Sequence, residues 1–121
     1  MILGFIGTGK ISSAIIYGIF KSSLQIKTIY ISSRNKNIAK KLTKKFRQVK
    51  ILKDNQEIIN KSSTIILGVT PNVGNEILPK LTFSKNKKII SLISTINLEK
   101  LKKITKNKNI VRAIPLPPIE I

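Results

Sequence analysis

The sequence predicts an α/β fold: a doubly wound parallel sheet (Rossmann type) in one three-layer domain of about six strands. Three observations carry this. Short apolar runs alternate with segments of helical periodicity along the chain, a glycine-rich turn sits at the first strand-to-helix junction, and no linker, repeat or low-complexity block breaks the alternation. The 121 residues suit a single domain spanning 1–121, and 41% hydrophobic residues suffice for a core.

Each element follows in order. Ile2–Ile6 is a continuous apolar run, as expected of a strand buried on both faces. Lys10–Lys21 carries Ile11, Ala14, Ile15, Gly18 and Ile19 at helical spacing. Lys27–Ser32 is β-branched and aromatic, hence a second strand. Asn35–Phe46 reads as a helix with Ile38, Ala39, Leu42 and Phe46 on one face and lysines on the other. Val49–Leu52 is a brief strand, and a short helix begins near Asp54, with Asp54 and Glu57 spaced as an N-cap and its partner. Ser63–Val69 is another buried strand. Pro71 then opens a helix bearing Val73, Ile77 and Leu78, in the first-turn position where proline is tolerated. Lys88–Ile93, Leu98–Ile104 and Asn109–Ile114 complete the series as strand, helix and strand.

Composition removes several kinds of chemistry. The chain has no cysteine and no histidine, which excludes disulfide scaffolds, thiolate zinc sites, cysteine nucleophiles and imidazole bases. Among five acidic residues only Asp54 and Glu57 are close in sequence, which argues against a carboxylate metal site or a carboxylate-pair hydrolase. The formal charge is +18, but 25 Ile, 20 Lys and 10 Asn are all products of AT-rich codons. Dispersed lysines with 5% aromatics read as a solvated surface rather than a nucleic-acid face. The start MILGFIGTGK lacks a basic region before its apolar stretch, and runs such as Ile11–Phe20 fall far short of the ~20 residues that span a bilayer. No membrane partner and a cytoplasmic location are therefore expected.

The glycine turn carries the chemistry. In Gly4-Phe5-Ile6-Gly7-Thr8-Gly9-Lys10-Ile11-Ser12, Gly7 and Gly9 occupy the first two positions of a dinucleotide fingerprint, and Ser12 stands at the third. The first position needs glycine for a tight turn. The second needs it so that a pyrophosphate can reach the helix N-terminus, and the third must be small for close packing. The end of the second strand, Ser32-Ser33-Arg34-Asn35, lacks the acid that would hold a ribose 2′-hydroxyl. An arginine among hydroxyls suits a 2′-phosphate, so NADP is the expected cofactor.

Together these residues resemble the N-terminal domain of the pyrroline-5-carboxylate reductase family. GFIGTGKISSAI is similar to the family's GFIGxGxMxxA, and SSRN to its polar turn after the second strand. Asp54-Asn55-Gln56-Glu57 sits like the family's asparagine-bearing segment, and Gly68-Val69-Thr70-Pro71 resembles AVKP. Leu92–Leu101 resembles SxxAGIxLxxL, and Val111–Pro118 resembles VRxMPNTP.

The resemblance implies that Gly7, Thr8, Gly9, Lys10 and Ile11 cradle the pyrophosphate and that Ser32 and Arg34 take the 2′-phosphate. It places Asn55 on the adenosine side and Val69, Thr70, Pro71 and Ser94 along the path to the nicotinamide. It also implies hydride transfer from NAD(P)H to the C=N bond of a cyclic imine, 1-pyrroline-5-carboxylate, giving proline. Thr70 stands where the family has lysine, Thr95 where it has glycine, and Leu116-Pro117 where it has Asn-Thr. The family's helical dimerisation and substrate domain would begin where these 121 residues stop. The apolar segment Ile114–Ile121 is the expected docking point for that domain or for another copy of the chain. No catalytic residue is identified, and with no histidine or cysteine a general acid would have to be water. Two alternatives stay open: a degenerate, non-catalytic nucleotide-binding domain, and a related oxidoreductase domain of the deazaflavin-dependent NADP type.

Overall fold

The computed structural model describes residues 1–113. Six strands and five α-helices alternate: β1 (Ile2–Ile6), α1 (Lys10–Lys21), β2 (Thr28–Ser32), α2 (Lys36–Lys45), β3 (Val49–Leu52), α3 (Asn55–Lys61), β4 (Thr64–Leu67), α4 (Pro71–Ile77), β5 (Lys88–Ser91), α5 (Leu98–Thr105) and β6 (Ile110–Arg112). A 3-10 turn, Leu78–Lys80, follows α4. All strand pairs are parallel and the sheet order is β3-β2-β1-β4-β5-β6. The doubly wound Rossmann-like sheet expected from the alternation is therefore the observed one.

Alternation within the strands explains why both faces must be covered. Leu3, Phe5, Ile29, Ile31, Val49 and Ile66 form one core with Ile16 of α1 and with Ala39 and Leu42 of α2. Ile6, Ile65, Leu67, Ile89 and Ile110 point the other way, packing with Ile58 and Ile59 of α3, Leu78, and Leu101 of α5. Since successive side chains project to opposite faces, an unbroken apolar strand can be buried only between two helical layers. Each fully buried isoleucine or leucine contributes about 1.5–3 kcal/mol relative to exposure, before entropy is counted.

Two local readings change. In α1 the wholly buried residues are Ser12 and Ile16, whereas Ile11 is 50% exposed. Ser12 faces Gly68 and Ile16 enters the core, with Ile15 and Ile19 partly buried against it. At α3, Asp54 does cap the helix, accepting from the Gln56 N–H at 3.2 Å. Glu57 pairs with Lys61 at 3.3 Å, one turn further along the same helix. That geometry is the ordinary i,i+4 attraction of opposite charges. No helix among the described residues is long and apolar enough to cross a membrane. The expected docking segment Ile114–Ile121 lies outside the described residues.

Candidate functional site

Strand order reverses direction between β1 and β4: from β1 the chain builds outward to β3, then returns to lay β4 on the other side. In such sheets the loops leaving the carboxyl ends of the two central strands diverge and leave a crevice. The glycine turn lies at this point. Gly7 has φ +98°, and a Cβ there would come within 2.5 Å of the Gly68 carbonyl oxygen. Only glycine fits this backbone and this approach. The Gly68 N–H donates to the Ile6 carbonyl at 2.8 Å, joining the ends of β1 and β4.

Thr8 locks the turn to the neighbouring strand. It is buried, its hydroxyl donates to the Ser32 carbonyl at 3.0 Å, and its oxygen lies 2.9 Å from the Ser32 hydroxyl. Both hydroxyls are thus engaged inside the protein. Ser12, also buried, has an Oγ with no hydrogen-bond partner among the described residues, and this oxygen would meet any Cβ placed on Gly68 at 2.6 Å.

The start of α1 differs from the other helix starts. Asn35, Asp54, Thr70 and Asn97 each accept a hydrogen bond from a first-turn N–H of α2, α3, α4 and α5 respectively. The N-cap of α1 is Gly9, which supplies no acceptor, and no acidic residue lies in the first turn. A Cβ at Gly9 would meet nothing within 4 Å. Uncapped N–H groups at a helix start, with the positive end of its dipole, attract an anion.

Beside this helix start is a cleft of about 560 Å³, lined by Gly7, Thr8, Gly9, Gly68, Val69, Thr70, Val73 and the segment Arg34–Asn37. A smaller cavity of about 230 Å³ continues from it, lined by Gly7, Ser32, Ser33, Arg34, Lys53, Asn55, Val69 and Ile77. Gly7, Arg34 and Val69 border both, so the two form one groove across the ends of β1, β2 and β4. Among the described residues its lining includes Arg34, Lys36 and Lys53 and no carboxylate. A groove of this composition suits a ligand with phosphates and a sugar-and-base body.

Of the residues singled out in the sequence, Gly7, Thr8, Gly9, Arg34, Val69 and Thr70 border the larger cleft, and Ser32 and Asn55 border the smaller cavity. Lys10, Ile11, Pro71 and Ser94 border neither. Lys10 and Ile11 are exposed at the start of α1, and Pro71 is the first residue of α4. Ser94 is exposed after β5, where its carbonyl accepts from the Arg112 guanidinium. Sequence reasoning gave no site role to Lys36, Asn37, Lys53, Val73 or Ile77, and met Ser33, Asn35 and Gly68 only as parts of quoted motifs. The usable signal was topological: in a parallel sheet the first residues after every strand emerge at one edge.

The fold and the turn define a Rossmann-type nucleotide-binding domain. The chain belongs to the family described as NADP oxidoreductase, coenzyme F420-dependent, whose model matches residues 2–98. It is similar to pyrroline-5-carboxylate reductase of Glycine max, with 26% identity over 121 residues covering 98% of this chain and 44% of that protein. Among solved structures, 1-pyrroline-5-carboxylate reductase of Streptococcus pyogenes superposes with a TM-score of 0.78 at 29% identity, covering 95% of this chain and 42% of that one. Pyrroline carboxylate reductase of Plasmodium falciparum, solved with NADP bound, superposes with a TM-score of 0.74 at 25% identity, covering 97% and 43%. The chain therefore spans less than half the length of these relatives. The resemblance read from the sequence holds over nearly the whole chain. The expectation of NADP agrees with the family's description and with the Plasmodium structure. The family's description carries the deazaflavin coenzyme of the alternative reading, while these three relatives are all pyrroline carboxylate reductases.

Proposed function

We propose that residues 1–121 form the NADP(H)-binding domain of a reductase of the pyrroline-5-carboxylate reductase kind, with a cyclic imine as the substrate class. The carrying observation is the uncapped start of α1, opening beside a groove that has no carboxylate in its lining. The residues fit the cofactor. The N–H groups of the Gly7–Gly9 turn and the first turn of α1 would hold the pyrophosphate, since Gly9 leaves space and no side chain competes for those donors. Arg34 would take the 2′-phosphate, Asn55 the adenosine side, and Val69 and Thr70 would border the nicotinamide side.

When bound, NADPH supplies the hydride, while the protein contributes position and exclusion of water. The helical part of the relatives would complete the substrate pocket, in the same polypeptide or as a partner chain meeting Ile114–Ile121. A second reading, a nucleotide-binding domain without catalysis, is favoured by Thr70. Its hydroxyl accepts from the Val73 N–H at 3.4 Å, where the family motif has a lysine.

The test is fluorescence titration of the chain with NADPH and NADH, alongside the Arg34→Asp variant. Preferential NADPH binding that is lost in the variant supports the reading. No binding of either cofactor up to about millimolar concentration, weaker than the ~4 kcal/mol that such a Kd represents, overturns it.

A further inference from the structure

Lys53 is the cation of the smaller cavity that the glycine turn and Arg34 do not account for. Strands β2 and β3 run parallel with Ser32 opposite Leu52 as their last registered pair. Ser33 and Lys53 are therefore the first residues beyond two adjacent strand ends, and Arg34 follows one residue later. All three border the same 230 Å³ cavity.

The surroundings leave this charge available. Asp54, next in sequence, uses its carboxylate to cap α3 and does not line the cavity. The ion pair found among the described residues joins Lys61 to Glu57 and does not involve Lys53. No Asp or Glu precedes Asp54, whereas twelve Lys and Arg do. The Ser32 hydroxyl is engaged with Thr8, which leaves the Ser33 hydroxyl and the Asn55 amide as neutral donors bordering the cavity. Two cations from two strand ends, with neutral donors bordering the same cavity, match a doubly charged phosphate monoester. A neutral ribose hydroxyl at the same place could accept a hydrogen bond but would gain no charge–charge attraction from either cation.

We propose that Lys53 is the second cation of the 2′-phosphate site and that, with Arg34, it sets the preference for NADP(H) over NAD(H). The proposal rests on the cofactor reading above and assigns it a residue from β3. Arg34 supplies a planar fork of donors. Lys53 supplies a point charge on a flexible stem, able to meet the phosphate from the β3 side.

The experiment titrates the full chain and its Lys53→Met, Lys53→Arg and Lys85→Met variants with NADPH and with NADH. Lys85 lies before β5, in the loop at the opposite edge of the sheet, and controls for the loss of one charge from the whole molecule. The expected result is about a tenfold weaker NADPH affinity for Lys53→Met, with NADH changed less than about twofold. Lys53→Arg and Lys85→Met should both retain the preference. Unchanged NADPH affinity in Lys53→Met, or an equal loss for both cofactors, overturns the role of Lys53 and leaves the cofactor reading standing. Failure of the unaltered chain to bind either cofactor overturns both. Lys53 is exposed, and unchanged NADH binding by the variant reports an intact fold in the same titration.

Discussion

Helix α1 and the other four helices begin in opposite ways. Helices α2 to α5 carry their own acceptors at the N-cap, with bonds from 2.8 Å at Asn97 to 3.4 Å at Thr70. A protein that stabilises its helices by this device four times has no stereochemical reason to omit it at the fifth. A Cβ at Gly9 would meet nothing within 4 Å beyond its chain neighbours, so Ser, Asp or Asn could begin there without a clash at that atom. The open α1 start also lies at the strand-order reversal, beside the 560 Å³ cleft. The difference teaches that a missing local cap can mark a binding site more clearly than a motif can. Donors that a small side chain could have satisfied are left for something from outside.

The comparison is broken most forcefully by giving α1 the cap that it lacks. Gly9→Asp places a carboxylate where the other helices have acceptors. Its expected effect on folding is small and favourable, a few tenths of a kcal/mol, because glycine is itself a tolerable N-cap. Its expected effect on NADPH binding is a loss of roughly thirtyfold or more, about 2 kcal/mol, as the carboxylate takes the donors and repels the pyrophosphate. Urea denaturation and cofactor titration on the same preparation separate the two. A variant that is more stable and still binds NADPH normally would show that the open helix start serves no anion.

The reverse change applies to a capped helix. Asn97→Ala removes the acceptor that holds the Lys100 N–H of α5 at 2.8 Å. It should cost about 1 kcal/mol of stability, read as a lower urea midpoint with an unchanged slope. Asn97 borders neither part of the groove, so the NADPH affinity of the folded variant should not move. A fall in affinity at equal folded fraction would mean that capping and binding are not divided between helices as described.

The strands and helices were legible because a sheet covered on both faces writes continuous apolar runs such as Ile2–Ile6, and the helices between them write a period near 3.6. Asn35, Asp54 and Pro71 marked helix starts for the same local reason. The glycine turn was equally local, since its steric demand on Gly7 falls within one β-strand-to-helix junction. Lys53 and Gly68 were hidden because their role depends on register. Nothing near Lys53 in the sequence says that β3 ends beside Ser32, and nothing near Gly68 says that it faces Ser12. The inward face of α1 was read only in part for a related reason. Ile15 and Ile19 do pack against the core, but the wholly buried residues are Ile16 and Ser12, the latter against Gly68.

Ser12 gives the finest test of the comparison, because it shows a second unmet polar group at the same end of α1. The residue is 1% exposed, and its buried hydroxyl has no partner among the described residues. Other buried hydroxyls find one: Ser62 donates to Ile58 and Thr105 to Leu101, each back along its own helix. Ser12→Ala removes an oxygen with a desolvation cost and no bond, the same atom that stands nearest to Gly68. Stability should therefore rise by about 0.5–1 kcal/mol, less than the full desolvation penalty because a small void replaces the oxygen. NADPH affinity should stay within about twofold, since Ser12 borders neither part of the groove. A loss of stability would mean that the hydroxyl has a partner in solution, such as a buried water. The α1 start would then have one set of unmet donors, those of its backbone, in place of two unmet polar features.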